Sequence, residues 1–346
     1  MRFIVAKTIQ SASQVENGRE RRDRGYPSDV KKIDDSTIES IRVGLMAWFA
    51  ANRRDLPWRQ TRDPYRILVS EVMLQQTQVD RVIPYYERWI DQFPTVEALA
   101  QAATSDVIRI WSGLGYNRRA IYLQKTARAS VEEHGGSFPT RLEELLKLPG
   151  VGPYTAGAIA AFAFEQDVVF QDTNMRRVVH RLAFGSDIPA RQATEHQILE
   201  AAEALLPTGH GWIWNQALIE FGALQCTQRR PACVICPLQL ACKAFPSIQS
   251  DIADLPVGVR LKKEADFHGS NRQFRGRVVE ELRRAQGATL AELGPRVKSG
   301  FGDEDLPWLY GVVSGLARDG LVTIMEPDAG YDTARAAPDL VVTLPD

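Results

Sequence analysis

Leu148-Pro149-Gly150-Val151-Gly152-Pro153-Tyr154-Thr155 lies between two segments of helical period, Leu142–Leu148 and Tyr154–Phe164. Gly150 and Gly152 permit a tight turn with positive φ between two helices. They also leave backbone N–H groups bare at the start of the second helix, where an anion binds well. The stretch reads as the hairpin of a helix–hairpin–helix phosphate clamp or as an ordinary turn between helices. The Pro-Gly-Val-Gly order favours the clamp.

Outward from this hairpin, periods near 3.6 dominate residues 35–245 and no βαβ alternation occurs, so the region reads as all-α. On the N-terminal side, Asp35-Ser36 offers a cap before Ile38, Ile41, Leu45 and Trp48, and Leu56-Pro57-Trp58-Arg59 stops that helix. A second helix is expected from a Ser70 cap through Glu71, Leu74, Val79 and Val82, with Pro84 near its middle. Helices are also predicted at Val96–Ala103, Asp106–Leu114 and Arg119–Glu133. On the C-terminal side, Val168-Val169-Phe170 reads as a short extended piece. Helices follow at Asn174–Phe184, at Glu195–Leu206 and from Trp214.

That last helix leads into Cys226, Cys233, Cys236 and Cys242, the only four cysteines of the chain, spaced C-x6-C-x2-C-x5-C. Four soft thiolates in one short loop suit a single iron–sulfur cluster or a single zinc ion. The unequal gaps argue against paired zinc knuckles. No secretory signal precedes them, and a chain of this length does not need disulfide staples.

At 346 residues, 44% hydrophobic and 25% charged, the chain has the composition of a soluble protein of two or three domains. No apolar run is long enough for a transmembrane helix. The formal net charge of −1 announces no nucleic-acid partner, so local basic patches must carry any such claim. Residues 1–34, with Arg19-Glu20-Arg21-Arg22-Asp23-Arg24, read as a solvated, disordered leader. Beyond Cys242 comes a linker. Helices follow over Asn271–Ala285, from a Thr289 cap to Val297, and over Pro307–Asp319. Strands over Gly320–Met325 and Leu340–Leu344 complete the order of a winged-helix module. Arg272, Arg275, Arg277, Arg283 and Arg284 crowd the first of these helices, as a DNA-facing or merely solvated face.

Two carboxylates stand out. Asp172 follows an apolar run and precedes a helix, where it can cap and still act chemically. Glu71 is expected in the first turn of an apolar helix, where a carboxylate can serve as a general acid or simply meet the helix dipole. His134, His180, His196, His210 and His268 do not converge in sequence and read as surface or packing residues.

Leu56-Pro57-Trp58-Arg59, Pro64-Tyr65-Arg66 and Ser70-Glu71-Val72-Met73-Leu74-Gln75-Gln76-Thr77-Gln78-Val79 closely resemble the opening of the MutY adenine DNA glycosylases. Gly113-Leu114-Gly115-Tyr116, the hairpin, Asp172-Thr173-Asn174, Asn215-Gln216-Ala217-Leu218 and the cysteine loop follow in the expected order. The resemblance covers roughly residues 35–245 and implies a mainly α helix–hairpin–helix DNA glycosylase fold of the endonuclease III-like superfamily. It implies that Glu71 protonates the adenine and helps activate water, and that Asp172 stabilises the oxocarbenium character left on the sugar, a division of labour like that in glycoside hydrolysis. Tyr154 falls where bifunctional relatives carry a lysine nucleophile, which implies a monofunctional reaction. Gln76 and Tyr116 match the residues that wedge into the duplex beside an everted base. Gly150, Val151 and Gly152 would hold a phosphate, and Arg229 and Arg230 would meet the backbone. The four cysteines would hold a [4Fe–4S] cluster in a structural and DNA-binding role. The implied partner is double-stranded DNA with a mispair or lesion, bound by a cytoplasmic, bacterial nucleoid-associated monomer.

The implied domains are a cluster subdomain (35–55 and 167–245), a six-helix barrel with the hairpin (56–166), a linker (246–270) and a winged-helix-like α+β domain (271–346). Two departures from the family stand out. Asn117 replaces the second tyrosine of Gly-Tyr-Tyr, and the tail lacks the pattern of the Nudix-like domain that recognises 8-oxoguanine in the family. A thymine or uracil mismatch glycosylase of the same superfamily is the alternative within enzymes. A non-catalytic iron–sulfur DNA-binding sensor is the alternative outside them.

Overall fold

The computed structural model describes residues 33–255, 267–325 and 338–346. The expected leader, but for its last two residues, and much of the expected linker therefore lie outside the described residues. Fifteen α-helices and three short strands follow in order among them. They are α1 (Asp35–Asn52), α2 (Pro64–Met73), α3 (Val79–Gln92), α4 (Val96–Gln101), α5 (Thr104–Ile110), α6 (Arg118–His134), α7 (Leu142–Leu145) and α8 (Pro153–Phe162). Then come α9 (Thr173–Ala183), α10 (Glu195–Leu205), α11 (Gly211–Leu224), α12 (Ser247–Ala253) and α13 (Asn271–Arg284). The chain finishes with β1 (Ala288–Thr289), α14 (Leu290–Val297), α15 (Leu306–Arg318), β2 (Thr323–Met325) and β3 (Val341–Thr343).

The chain divides into two compact units. The first holds the described residues up to Pro64, then Thr140–Leu146, then Gly152 to Leu255. Here α1 packs on α10 and α11, and α9 packs on the same two helices. Ile41, Leu45 and Phe49 of α1, Val178 and Val179 of α9 and Trp214 and Phe221 of α11 are buried together in its core. Burial of each such side chain is worth about 1.5–3 kcal/mol. Glu220 is enclosed within this unit and receives both Arg54 and Arg59, each at 2.8 Å. Burial pushes its carboxyl up, but the two guanidinium hydrogen-bond sets prevail and bring it down to about 2.

The second unit holds Tyr65–Pro139, Lys147–Val151 and the described residues from Phe267 onward. Here α4 and α5 lie on α6, and Trp89 and Trp111 meet edge to face at 5.5 Å. The C-terminal helices α13, α14 and α15 pack on one another. Their strands form an antiparallel sheet in the order β1-β3-β2, with Val342 opposite both Ala288 and Ile324. This sheet has three strands rather than the two of the expected hairpin, because two residues before α14 also pair. Ile108 and Ile121 of the helical part are buried in the same core as Val279, Leu293 and Leu316.

Several local expectations are corrected. The helix predicted from Ser70 through Val82 is two helices. Pro64 begins α2, which ends at Met73, and α3 begins at Val79. Gln76 between them has φ 56, which no helix accommodates. Ser70 is therefore no cap. It is buried inside α2, and its hydroxyl donates to Ile67 O at 2.8 Å. Glu71 lies in the last turn of α2 rather than the first. The cap of α1 is Asp34, one residue earlier than expected, and its Oδ1 accepts from Thr37 N at 2.9 Å. The start of the expected linker is the helix α12, with Ile248 buried.

Candidate active site and nucleic-acid contacts

In the first unit Asp172 caps α9. Its Oδ1 accepts from Met175 N at 2.7 Å and its Oδ2 from Asn174 Nδ2 at 3.2 Å. Burial raises its pKa, and these hydrogen bonds with the charge of Arg177 only partly offset the rise. The segment entering Asp172 is fixed from α11. Asn215 Nδ2 donates to Val168 O at 3.1 Å, and Asp167 accepts from Gly209 N at 2.6 Å and Gly211 N at 2.9 Å. The Asn215-Gln216 motif thus has a local reason. Asn215 holds that segment, and Gln216 accepts from Arg59 Nε at 2.9 Å beside Glu220.

Tyr154 is in the first turn of α8 and meets Phe170 edge to face at 5.4 Å. Gly157 is required there, because a Cβ would come within 2.5 Å of Phe170 Cβ. No amine stands at position 154, so this residue cannot form a Schiff base.

Cys226, Cys233, Cys236 and Cys242 all line one cavity, with Val178, Phe221 and other apolar neighbours. Arg181 is buried beside them. Its Nη1 lies 3.5 Å from Cys226 Sγ and donates to Thr227 O at 2.8 Å, and its Nη2 donates to Gln228 O at 3.0 Å. Burial raises Cys233 and Cys242 and pushes Cys236 up to about 11. The donor set of four thiols around one apolar pocket, with a guanidinium against one sulfur, fits a thiolate-ligated group. Among the described residues no set of three or more His, Cys, Asp or Glu side chains is already arranged as a metal cage. Arg229 and Arg230 are exposed on the loop after Cys226.

The loop and Asp172 are joined through Asn174 of the Asp172-Thr173-Asn174 motif and through Arg177, which motif reading did not single out. Arg177 Nε donates to Cys226 O at 2.8 Å, and its Nη2 donates to Gly222 O at 2.6 Å and Asn174 Oδ1 at 2.9 Å. Asn174 in turn donates to Asp172. Gly222 admits this contact, since a Cβ there would lie 2.8 Å from Asn174 Cβ.

In the second unit Glu71 is buried at 5% exposure. Gln76 and Tyr116 are exposed, each in a left-handed conformation with φ 56 and φ 47. Both loops converge on Arg119, a residue invisible to motif reading. Its Nη1 donates to Val72 O, Met73 O and Gln75 O at 2.7–2.9 Å, and its Nη2 to Leu114 O and Gly115 O at 3.2 Å. Burial pulls this guanidinium down to about 10. Of the C-terminal arginines, Arg275 pairs with Asp319, Arg277 donates to Val297 O, and Arg283 and Arg284 pair with Glu280. Arg283 and Arg275 are largely covered by these contacts, whereas Arg272, Arg277 and Arg284 remain exposed. A cleft of about 850 Å³ runs between Gln76, Tyr116 and Arg118 on one side and Phe267, Arg272 and Arg275 on the other.

The hairpin is where the chain passes from the second unit to the first. Gly150 has φ 82, and a Cβ there would collide with Tyr122 at 2.6 Å. Thr126 Oγ1 donates to Pro149 O at 2.6 Å. Gly152 is the N-cap of α8 without a side-chain hydrogen bond, and Pro153 follows at N1. The helix therefore starts without a side-chain cap.

Residues 69–204 match the model of the HhH-GPD superfamily base excision DNA repair proteins. The class defined by fold and site is therefore the helix–hairpin–helix base-excision proteins. A thermostable thymine-DNA glycosylase superimposes with a TM-score of 0.57 at 30% identity, covering 61% of this chain and 98% of that one. A non-covalent endonuclease III–DNA complex gives a TM-score of 0.53 at 23% identity over 62% of this chain and 97% of that one, which speaks for the fold. The adenine DNA glycosylase of Mycolicibacterium smegmatis is 41% identical over 244 residues, 70% of this chain and 80% of that protein. The mouse adenine DNA glycosylase is 43% identical over 226 residues, 62% of this chain and 44% of that protein. This chain spans less than half the length of the mouse and rat relatives. It belongs to the adenine DNA glycosylase family. Among the described residues no helix is long and apolar enough to cross a membrane.

Proposed function

We propose that this protein hydrolyses the N-glycosidic bond of adenine mispaired with guanine or 8-oxoguanine in double-stranded DNA, the first step of base excision repair. The observation that carries the reading is a buried Glu71 in α2 and a partly buried Asp172 capping α9, within a chain 41% identical to a mycobacterial adenine DNA glycosylase. Glu71 donates a proton to the departing base and then orients water. Asp172, ionised, faces the positive charge that develops on the sugar. Two hydrogen bonds fix its carboxylate in advance, so little reorganisation is needed as charge develops. Tyr154 leaves the reaction without a covalent amine step, and the protein acts as a monofunctional enzyme.

Gln76 and Tyr116 enter the duplex and fill the space of the everted base. The hairpin Gly150-Val151-Gly152 takes a phosphate at the start of α8, and Arg229 and Arg230 meet the backbone. Cys226, Cys233, Cys236 and Cys242 would hold a [4Fe–4S] cluster. When bound, it would stiffen the loop that presents those arginines and would take no part in hydrolysis.

The experiment is incubation with a panel of mispaired duplexes followed by alkali. Cleavage at adenine opposite guanine or 8-oxoguanine is expected. Cleavage only at thymine or uracil mispairs supports the alternative enzyme, and binding without cleavage supports the sensor.

A further inference from the structure

The loop that carries Tyr116 is gripped residue by residue by the C-terminal helices. Arg272 Nη1, in the first turn of α13, donates to the Tyr116 hydroxyl at 2.7 Å. Its guanidinium also lies over the rings of Tyr116 and Phe267, at 5.5 and 5.0 Å from their centroids. Arg283 Nη2, near the other end of α13, donates to Asn117 Oδ1 at 3.1 Å, while its Nε donates to Ile108 O at 3.0 Å. Arg118 Nε stands 3.4 Å from Asp319, the C-cap of α15. Tyr116 and Asn117 of the loop, and Arg118 at the start of α6, are thus each held from the C-terminal helices. On either side of the loop, Ile108 and Ile121 are sunk into that domain's core.

Tyr116 needs such support. A bulky side chain at φ 47 persists only where its surroundings over-determine it. Asn117, the position where the chain departs from the Gly-Tyr-Tyr of its family, is the one that meets the most deeply buried of these arginines. The side chain of Arg283 is only 8% exposed.

We propose that the C-terminal domain positions the wedge: Arg283 acting through Asn117, and Arg272 acting through Tyr116, hold loop 115–117 in the form that enters the duplex. This rests on Tyr116 being the wedge. The domain then governs eversion of the base, because a loop ordered before binding loses less freedom when it inserts. Arg272 and Arg283 are positioning residues and touch no reacting atom.

The test uses the full-length, cluster-loaded protein and a duplex with 2-aminopurine in place of adenine opposite guanine. Fluorescence of that base rises as it leaves the stack. Single-turnover adenine release and duplex dissociation constants are measured in parallel. Asn117→Leu and Arg283→Met should each lower the eversion amplitude and the release rate about tenfold, with affinity within about threefold of wild type. The double variant should be no worse than either single one. Arg272→Met should move the same readouts in the same direction, and Arg272→Lys should recover part of the loss.

Should Arg283→Met fail to fold, Asn117→Leu and Arg272→Met carry the test, since neither empties a core position. Unchanged eversion in those two variants overturns the proposal, as does a loss of affinity in step with the rate. A wild-type protein that everts 2-aminopurine but releases no adenine refutes the proposed reaction instead, and the eversion signal still decides the positioning.

Discussion

Asp172 carries two duties that pull in opposite directions. As the cap of α9 it needs only an oxygen, but as the proposed stabiliser of a cationic transition state it must be ionised where burial disfavours charge. Burial sets its folded pKa above the unfolded one. The folded state therefore binds this proton more tightly, and stability is lost as pH rises from the unfolded value through the folded one. Asp172→Asn keeps the cap and removes the charge. It should raise Tm in a calorimetric scan while lowering single-turnover excision by roughly 100-fold or more. Excision by the wild type should also fall on acidification, with a midpoint above the usual aspartate value. Glu220 has the opposite sign. Its pKa of about 2 means that its contribution is present above the unfolded value and is lost as pH falls toward 2. Glu220→Gln leaves Arg54 and Arg59 without their anion and should cost about 3–5 kcal/mol in urea unfolding. A loss under 1 kcal/mol would show that the pair is merely incidental.

At the scale of elements, the hairpin and the cysteine loop were legible because each is local. Positive φ and a close approach demand glycine at position 150, and four thiols in one loop need no distant partner to be noticed. Gly150→Ala should cost about 1–3 kcal/mol through its φ of 82 and its collision with Tyr122. It should also weaken duplex binding and reduce the slope of log K against log salt by about 1, the loss of one phosphate. Filter binding from low to high salt checks this. A weakened but parallel salt plot would mean that the hairpin supports the fold without holding a phosphate. The break between α2 and α3 was not legible. Glu71 through Val82 contains no proline or glycine to mark a stop, and the chain leaves helical geometry at the left-handed Gln76, beside backbone carbonyls that converge on Arg119.

For the whole molecule, the C-terminal domain is the decisive matter. Its core continues into the helical part through Ile108 and Ile121, so it is not an independent appendage. Truncation after Leu255 keeps α12 and its buried Ile248 but uncovers both isoleucines. The shortened protein should lose roughly 2–4 kcal/mol of stability as well as affinity. Calorimetry should therefore show a lower Tm than that of the full chain. An unchanged Tm would mean that the two cores are separate.

Periodicity, the glycine hairpin, the cysteine spacing and the order of motifs determined that the chain is mainly helical, where its hairpin lies and which family it resembles. These features are short-range, and the physics of a turn or of a ligand loop is complete within a dozen residues. What only the tertiary structure decided are the connections across long separations: Arg177 between Asp172 and the cysteine loop, Arg119 beneath the loops of Gln76 and Tyr116, and Arg283 on Asn117 from 166 residues away. An arginine in a sequence is equally a solvated charge, a phosphate contact or a buried clamp. Its partners are backbone carbonyls and amides with no sequence signature, and only packing brings them within hydrogen-bonding reach.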